Sequence, residues 1–306
     1  MSLQPMHEHT HTGVCVYKKD RVFITSISDE LDNQGMDHAL VFRWNQREWV
    51  HWPITTAVGS LCVIDQPEIM VMVMGIDGEI HIIKAPPNAI EEVDTADDGP
   101  SDLLHLKCIR PISAHVYVAG MGRRVYRREG AGLWAAIDAG VFVPRAQRNR
   151  GVGFNAIDGL SEDAIYAVGY DGEIWQYDGQ AWHQQDSPTN VALTCVRWVD
   201  QRTVYAAGLA GVVLRTVDGN WEALEHDATE DDFWGMTVFQ GRVYLAAYDG
   251  LFVIDGDSVV PVDMNLPQKL STAYLDANDG VMWSVGQKDL AYTEDGAIWT
   301  EVAGPN

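Results

Sequence analysis

Residues 164–175 read AIYAVGYDGEIW, and the same order of residue types returns as TVYAAGLAGVVL at 203–214, RVYLAAYDGLFV at 242–253 and VMWSVGQKDLAY at 281–292. The aromatic positions Tyr166, Tyr205, Tyr244 and Trp283 are each 39 residues apart, and a fixed period of this length marks a repeat architecture. Upstream, with looser spacing, the block recurs as HVYVAGMGRRVY at 115–126, IMVMVMGIDGEI at 69–80 and, more distantly, RVFITSIS at 21–28. Seven units result, anchored at Phe23, Met72, Tyr117, Tyr166, Tyr205, Tyr244 and Trp283.

Each unit reads as four short strands, A to D: a small-apolar run, a β-branched and aromatic run, a third run after a Gly-containing turn, and a last strand that begins at Trp. The C to D turns are NQREW at 45–49, EGAGLW at 129–134, DGQAW at 178–182, DGNW at 218–221 and DGAIW at 295–299. Asp-Gly suits a tight hairpin because Gly accepts positive φ, and the Trp that follows can fill the wedge between neighbouring sheets. Four strands per 39 to 49 residues, repeated seven times, predict an all-β, seven-bladed β-propeller with antiparallel blades. The expected repeats cover about 13–56, 57–102, 103–153, 154–191, 192–232, 233–269 and 270–303, in a single domain behind an N-terminal arm at 1–12.

The segment IYAVGYDGEIWQYDGQAW at 165–182 resembles bacterial propeller repeats of the YVTN, BNR and photosystem II assembly-factor-like kind. The resemblance covers nearly the whole chain in weakening form. It implies the propeller fold and no particular activity, because propellers host unrelated functions on one scaffold. TEDGAIW at 293–299 resembles a shortened Asp-box of the sialidase type, which in such families is a structural hairpin. The units begin with strand A at Val14 and end with strand D at Trp299 to Val302, so no strand is expected to swap between the termini. Residues 3–11 either add an outer strand or leave closure to blade packing.

Cys15, Cys62, Cys108 and Cys195 all fall on strand A, 8 to 10 residues before the anchor, where Ala156 and Ala273 stand in other repeats. A place shared by Cys and Ala reads as a small buried site, and free buried thiols fit a reducing cytoplasm. His7, His9 and His11 alternate, so on an extended segment they point the same way and could hold a metal. Outside the repeats, a frayed polar arm is the favoured reading. No H-E-x-x-H, G-x-S-x-G or P-loop pattern occurs, and the arginines bunch at 123–150 where a sialidase would draw them from several blades. No catalytic residue, metal or cofactor is expected.

Antiparallel strands send B to C and D to A connections to one side of a blade and the other two to the opposite side. SISDELDNQGMDHAL at 26–40 reads as a B to C insert. KAPPNAIEEVDTADDGPSD at 84–102, DAGVFVPRAQRNRGVG at 138–153 and EHDATEDD at 225–232 read as D to A connections. All four are therefore expected on one decorated face, opposite short turns such as KKD at 18–20, VDQR at 199–202 and FQGR at 239–242. The expected partner-binding residues are Asp29, Glu30 and Asp32; Glu91, Glu92, Asp94, Asp97 and Asp98; Arg145, Arg148 and Arg150; and Glu230, Asp231 and Asp232. Arg123 and Arg124 are expected beside this group, neutralising acids internally or gripping an acidic element of the partner.

The 44 Asp and Glu against 21 Lys and Arg leave a formal net charge of -23, which repels phosphate backbones and anionic lipid. No apolar run approaches the ~20 residues of a bilayer span, and the start lacks the basic and apolar regions of an export signal. The sequence thus reads as a cytoplasmic, monomeric, non-enzymatic protein that binds a cationic protein and neither nucleic acid nor membrane. Its specific form is an immunity protein that neutralises a basic toxin such as a nuclease effector. A glycosidase or lyase at the central channel mouth, or an assembly factor, are the alternatives.

Overall fold

The computed structural model describes residues 8–46, 48–102, 105–147 and 151–304. They form seven four-stranded antiparallel sheets, each made of consecutive strands in sequence order. The first sheet holds β1 (His9–Lys18), β2 (Arg21–Ser28), β3 (Ala39–Trp44) and β4 (Trp49–Ile54). The second holds β5 (Val58–Ile64), β6 (Met70–Gly75), β7 (Glu79–Ile83) and β8 (Ala89–Glu92), and the third β9 (Leu106–Ile112), β10 (His115–Gly120), β11 (Val125–Gly130) and β12 (Leu133–Ala136). The fourth is β13 (Phe154–Ser161), β14 (Ala164–Gly169), β15 (Ile174–Tyr177) and β16 (Trp182–Gln185), followed by β17 (Leu193–Trp198), β18 (Val204–Gly208), β19 (Val213–Val217) and β20 (Asn220–Ala223). The last two are β21 (Gly235–Phe239), β22 (Arg242–Ala247), β23 (Gly250–Asp255) and β24 (Ser258–Pro261), then β25 (Tyr274–Asn278), β26 (Val281–Val285), β27 (Leu290–Thr293) and β28 (Trp299–Glu301). This is the fold of a seven-bladed β-propeller. The one α-helix among the described residues, α1 (Asp29–Asn33), lies in the β2 to β3 insert. No helix among them is long and apolar enough to cross a membrane.

Contacts divide the chain into two compact units, Val58–Leu224 with four sheets, and Met1–Ala57 together with Glu225–Asn306 with three. In the four-sheet unit the first strands β5, β9, β13 and β17 lie side by side, and in the three-sheet unit β21, β25 and β1 do the same. The cores sit between sheets, not within one. Met72, Met74 and Ile80 pack against Leu106, Val118 and Tyr126 of the next sheet, and Ile24 and Val22 pack against Trp283 and Leu290. A sheet that buries both faces needs apolar residues at successive positions, which is why the second strands read as continuous apolar runs such as MVMVMG. Trp283 and Met72 are fully buried, each worth about 2–3 kcal/mol by area.

The tryptophans that open the fourth strands fill the wedges, as the turn chemistry implies. Trp182 donates from Nε1 to the Ile137 carbonyl of the preceding sheet at 2.8 Å, and Trp221 meets Tyr166 of its preceding sheet edge-on at 5.3 Å. In the three-sheet unit Trp49 donates to the Ala303 carbonyl at 3.3 Å. Carboxylates on the first strands tie neighbours together. Asp158 accepts from Arg110 Nε at 2.9 Å and from the Trp198 N–H at 2.8 Å, linking three consecutive sheets. Asp276 accepts the Val16 N–H at 2.7 Å, which binds the first sheet to the last.

Two expectations need correction. The arm at 1–12 does not stay outside the repeats: His9 to Thr12 belong to β1, the first strand of its sheet and not an outer one. His9 and His11 are only 3% and 1% exposed, with His11 Nδ1 2.7 Å from Ser26 Oγ and His9 edge-on to Phe42. His7 lies outside the described residues. The second correction concerns 84–102, which is not one connection. Residues 89–92 form β8, paired with β7, so 84–88 is a C to D turn and the D to A connection begins only at Val93.

Candidate partner-binding surface

In the four-sheet unit, the connections after β8 and β12 and the turn after β10 meet along one side. The Gly122 N–H donates to the Val152 carbonyl at 2.8 Å, the Val143 N–H to the Gly122 carbonyl at 2.9 Å, and the Arg145 N–H to Asp98 Oδ1 at 3.1 Å. Arg124 is buried at their junction. It donates to the Asp98 carbonyl from Nε and Nη2 and to Asp138 from Nη1 at 3.3 Å, and it covers the Phe142 ring at 3.8 Å. Burial pushes the Asp138 carboxyl up, with Arg124 holding it back. Asp94 accepts the Tyr126 hydroxyl at 2.9 Å. Arg123 pairs with buried Glu173 at 2.6 Å and lies over Trp175, and Arg145 pairs with Asp102 at 2.9 Å. Arg123 and Arg124 are engaged inside the unit, whereas Asp97 and the exposed Arg145–Asp102 ion pair are what it presents to solvent here.

Glu91, expected on the surface, is not available to a partner. It is 7% exposed and takes a two-pronged bond from Arg128, at 2.9 and 2.6 Å, plus the Trp134 indole at 3.2 Å. Burial alone would raise its carboxyl, but the Arg128 bonds outweigh it and hold the group below the usual range. Glu92, the next strand residue, points the other way and is exposed, as alternation requires. Arg148 and Arg150 lie outside the described residues.

In the three-sheet unit, α1 brings Asp29, Glu30 and Asp32 into its first turn. Asp29 is held by Lys288 and by the Thr10 hydroxyl at 2.8 Å, so Glu30 and Asp32 are the exposed pair. The turn after β26 lies under this insert, because Lys288 also donates to the His9 carbonyl at 2.9 Å. The 225–234 connection carries Glu230 and Asp231 exposed and Asp232 half-buried. Phe233 behind them is fully buried against Phe252 at 5.7 Å, which pins the loop. Sequence reading missed two features of this unit. Residues 262–273 form a further D to A connection, and Trp234 and Tyr248 form a half-exposed aromatic pair at 5.6 Å. The length of the gap between Pro261 and Tyr274 was the available signal for the first, whereas nothing local reveals the second.

No family model matches the chain. A comparison with curated proteins, however, finds Immune protein Tsi7 of Pseudomonas aeruginosa, 33% identical over 300 residues, 95% of this chain and 96% of that protein. The chain belongs to the Immune protein Tsi7 family. The match to Tsi7 spans nearly all of both chains, so the decorating connections fall within the compared length as well as the blades. Solved structures add the fold and nothing more. The WD40 propeller domain of Doa1 superposes with a TM-score of 0.71 at 10% identity over 94% of each chain. YCF48 bound to D1 peptide gives 0.67 at 11% identity, over 100% of this chain and 94% of that one. Unlike these, the Tsi7 likeness is strong enough in sequence to speak of kinship.

Proposed function

We propose that the chain is an immunity protein that neutralises a cationic toxin, such as a nuclease effector, by binding it. The observation that carries this reading is the kinship with Immune protein Tsi7 over 95% of the chain. The charge of -23 supports a cationic partner, since opposed charge speeds encounter and selects against acidic surfaces. Acidic side chains set in a phosphate-binding cleft would occupy the place of nucleic acid. The groups offered for this role are the exposed acids Glu30, Asp32, Glu92, Asp97, Glu230 and Asp231, with Asp232 at the edge. Asp29, Asp94, Asp98 and Arg145 position the loops that carry them. The protein acts by contact and not by catalysis, as a monomer in the cytoplasm.

The test is capture of partners from the native host on the full chain, followed by expression of each recovered basic protein alone and together with the chain. A basic protein that arrests growth alone and not in company is the expected result. Growth arrest that persists in company, or recovery of no cationic protein, overturns the reading.

A further inference from the structure

The three-sheet unit holds a groove of about 520 Å³ between the 228–231 loop, the turn at 249–252 and the 261–272 connection. Leu251, Phe252, Val262, Met264 and Leu266 give it apolar walls, and Asp231, Asp249 and Asp263 line it together with a single base, Lys269. Tyr248, the residue before Asp249, is 41% exposed and stands against Trp234, 36% exposed. Exposed Trp and Tyr are the side chains most enriched among interface anchors. This pair is also held in place. The Trp234 N–H bonds the Ala246 carbonyl at 2.8 Å, the Tyr248 carbonyl accepts the Thr272 N–H at 2.9 Å, and a Cβ on Gly235 would come within 2.5 Å of the Ala273 carbonyl. A rigid anchor loses little freedom on binding.

We infer that this groove, with the aromatic pair that adjoins its lining through the bond between Tyr248 and Thr272, receives an arginine side chain of the cationic toxin. The inference rests on the immunity reading for the partner's identity and on the groove and the aromatic pair beside it for its chemistry. A long basic side chain lays its methylene stem along apolar walls and keeps its charged head at a polar edge. The guanidinium plane stacks on aromatic rings and meets carboxylates two-pronged, whereas an ammonium does neither as well. Three carboxylates against one ammonium leave the lining acidic, which sets the sign of the occupant.

The experiment titrates the full chain with acetylated hexa-arginine amide and with its hexa-lysine counterpart at low ionic strength, and with any toxin recovered by the growth assay. Hexa-arginine is expected to bind more tightly than hexa-lysine. Trp234→Ala and the paired change Asp231→Asn with Asp249→Asn should each weaken it about tenfold, while Trp234→Phe retains most of the binding. Glu222→Gln, an exposed acid on β20 in the other unit, should leave it unchanged. Equal losses in all variants would mean general attraction to an acidic protein and overturn the inference, as would wild-type binding by Trp234→Ala. A toxin that is neutralised but bound equally well by Trp234→Ala removes the groove and leaves the immunity reading intact. Hexa-arginine that needs Trp234, with no toxin recovered, keeps the groove and removes that reading.

Discussion

At the scale of single residues, burial decides how the titratable groups behave. His11 sits among His9, Lys288, Asp289 and Asp29, and its imidazole is lowered from 6.5 to about 4, chiefly by burial and then by His9 and Lys288. Between those values the unfolded chain binds a proton that the folded chain does not, so stability from His11 is complete above about pH 6.5, declines as pH falls and is flat below about 4. The shift corresponds to about 3 kcal/mol. Urea unfolding at about pH 7 and about pH 5 should show wild type losing more stability across that interval than His11→Gln, which keeps a polar partner for Ser26. A variant with the same loss as wild type would remove His11 as the source. The cysteines follow the same logic: burial pushes the Cys62 thiol up to about 12 and raises Cys108 and Cys195. These three thiols should resist alkylation in the folded protein at neutral pH and react once it is unfolded. Gly169 ends β14 where a Cβ would collide with the Gly153 carbonyl, so Gly169→Ala should cost about 1–3 kcal/mol in denaturant unfolding.

At the scale of elements, the repeated strands were legible because each unit must solve the same packing problem with the same residue types. The anchors, the Asp-Gly turns and the Trp that follows them recur for that reason, and Phe23, Met72, Tyr117, Tyr166, Tyr244 and Trp283 are all buried. Replacing Trp182 by Phe keeps the ring but removes the bond to the Ile137 carbonyl, and should cost about 1 kcal/mol in thermal or urea unfolding. The acidic run after β7 was only half legible. Period-two alternation in β8 sends Glu91 inward and Glu92 outward, and Arg128 waits on a neighbouring sheet 37 residues away. Glu91→Ala should therefore destabilise the fold by about 3–5 kcal/mol, since it strands a buried guanidinium. If Glu91→Ala unfolds at the same denaturant concentration as wild type, the ion pair is not structural.

At the scale of the whole molecule, kinship with Immune protein Tsi7 supports a toxin as the partner, and the charge of -23 alone carries the proposal that this toxin is cationic. Reversing Glu230 and Asp231 to lysine should slow association with the toxin and flatten its dependence on salt while leaving thermal stability nearly unchanged, because both groups are exposed. Unchanged association would remove the 225–232 loop from the interface. The seven sheets and the acidic balance followed from the sequence by itself, since both depend on local periodicity and on composition, which need no knowledge of distant neighbours. Which acids remain available was decided only by tertiary structure. Glu91, Asp94 and Asp29 are taken by Arg128, Tyr126 and Lys288, partners brought close by sheet packing from 32 or more residues away. Trp234 and Tyr248 became a pair in the same way, because a loop and a turn meet only when β21 and β22 align. Long-range pairing fixes such contacts through register and packing, and no local pattern in the chain encodes them.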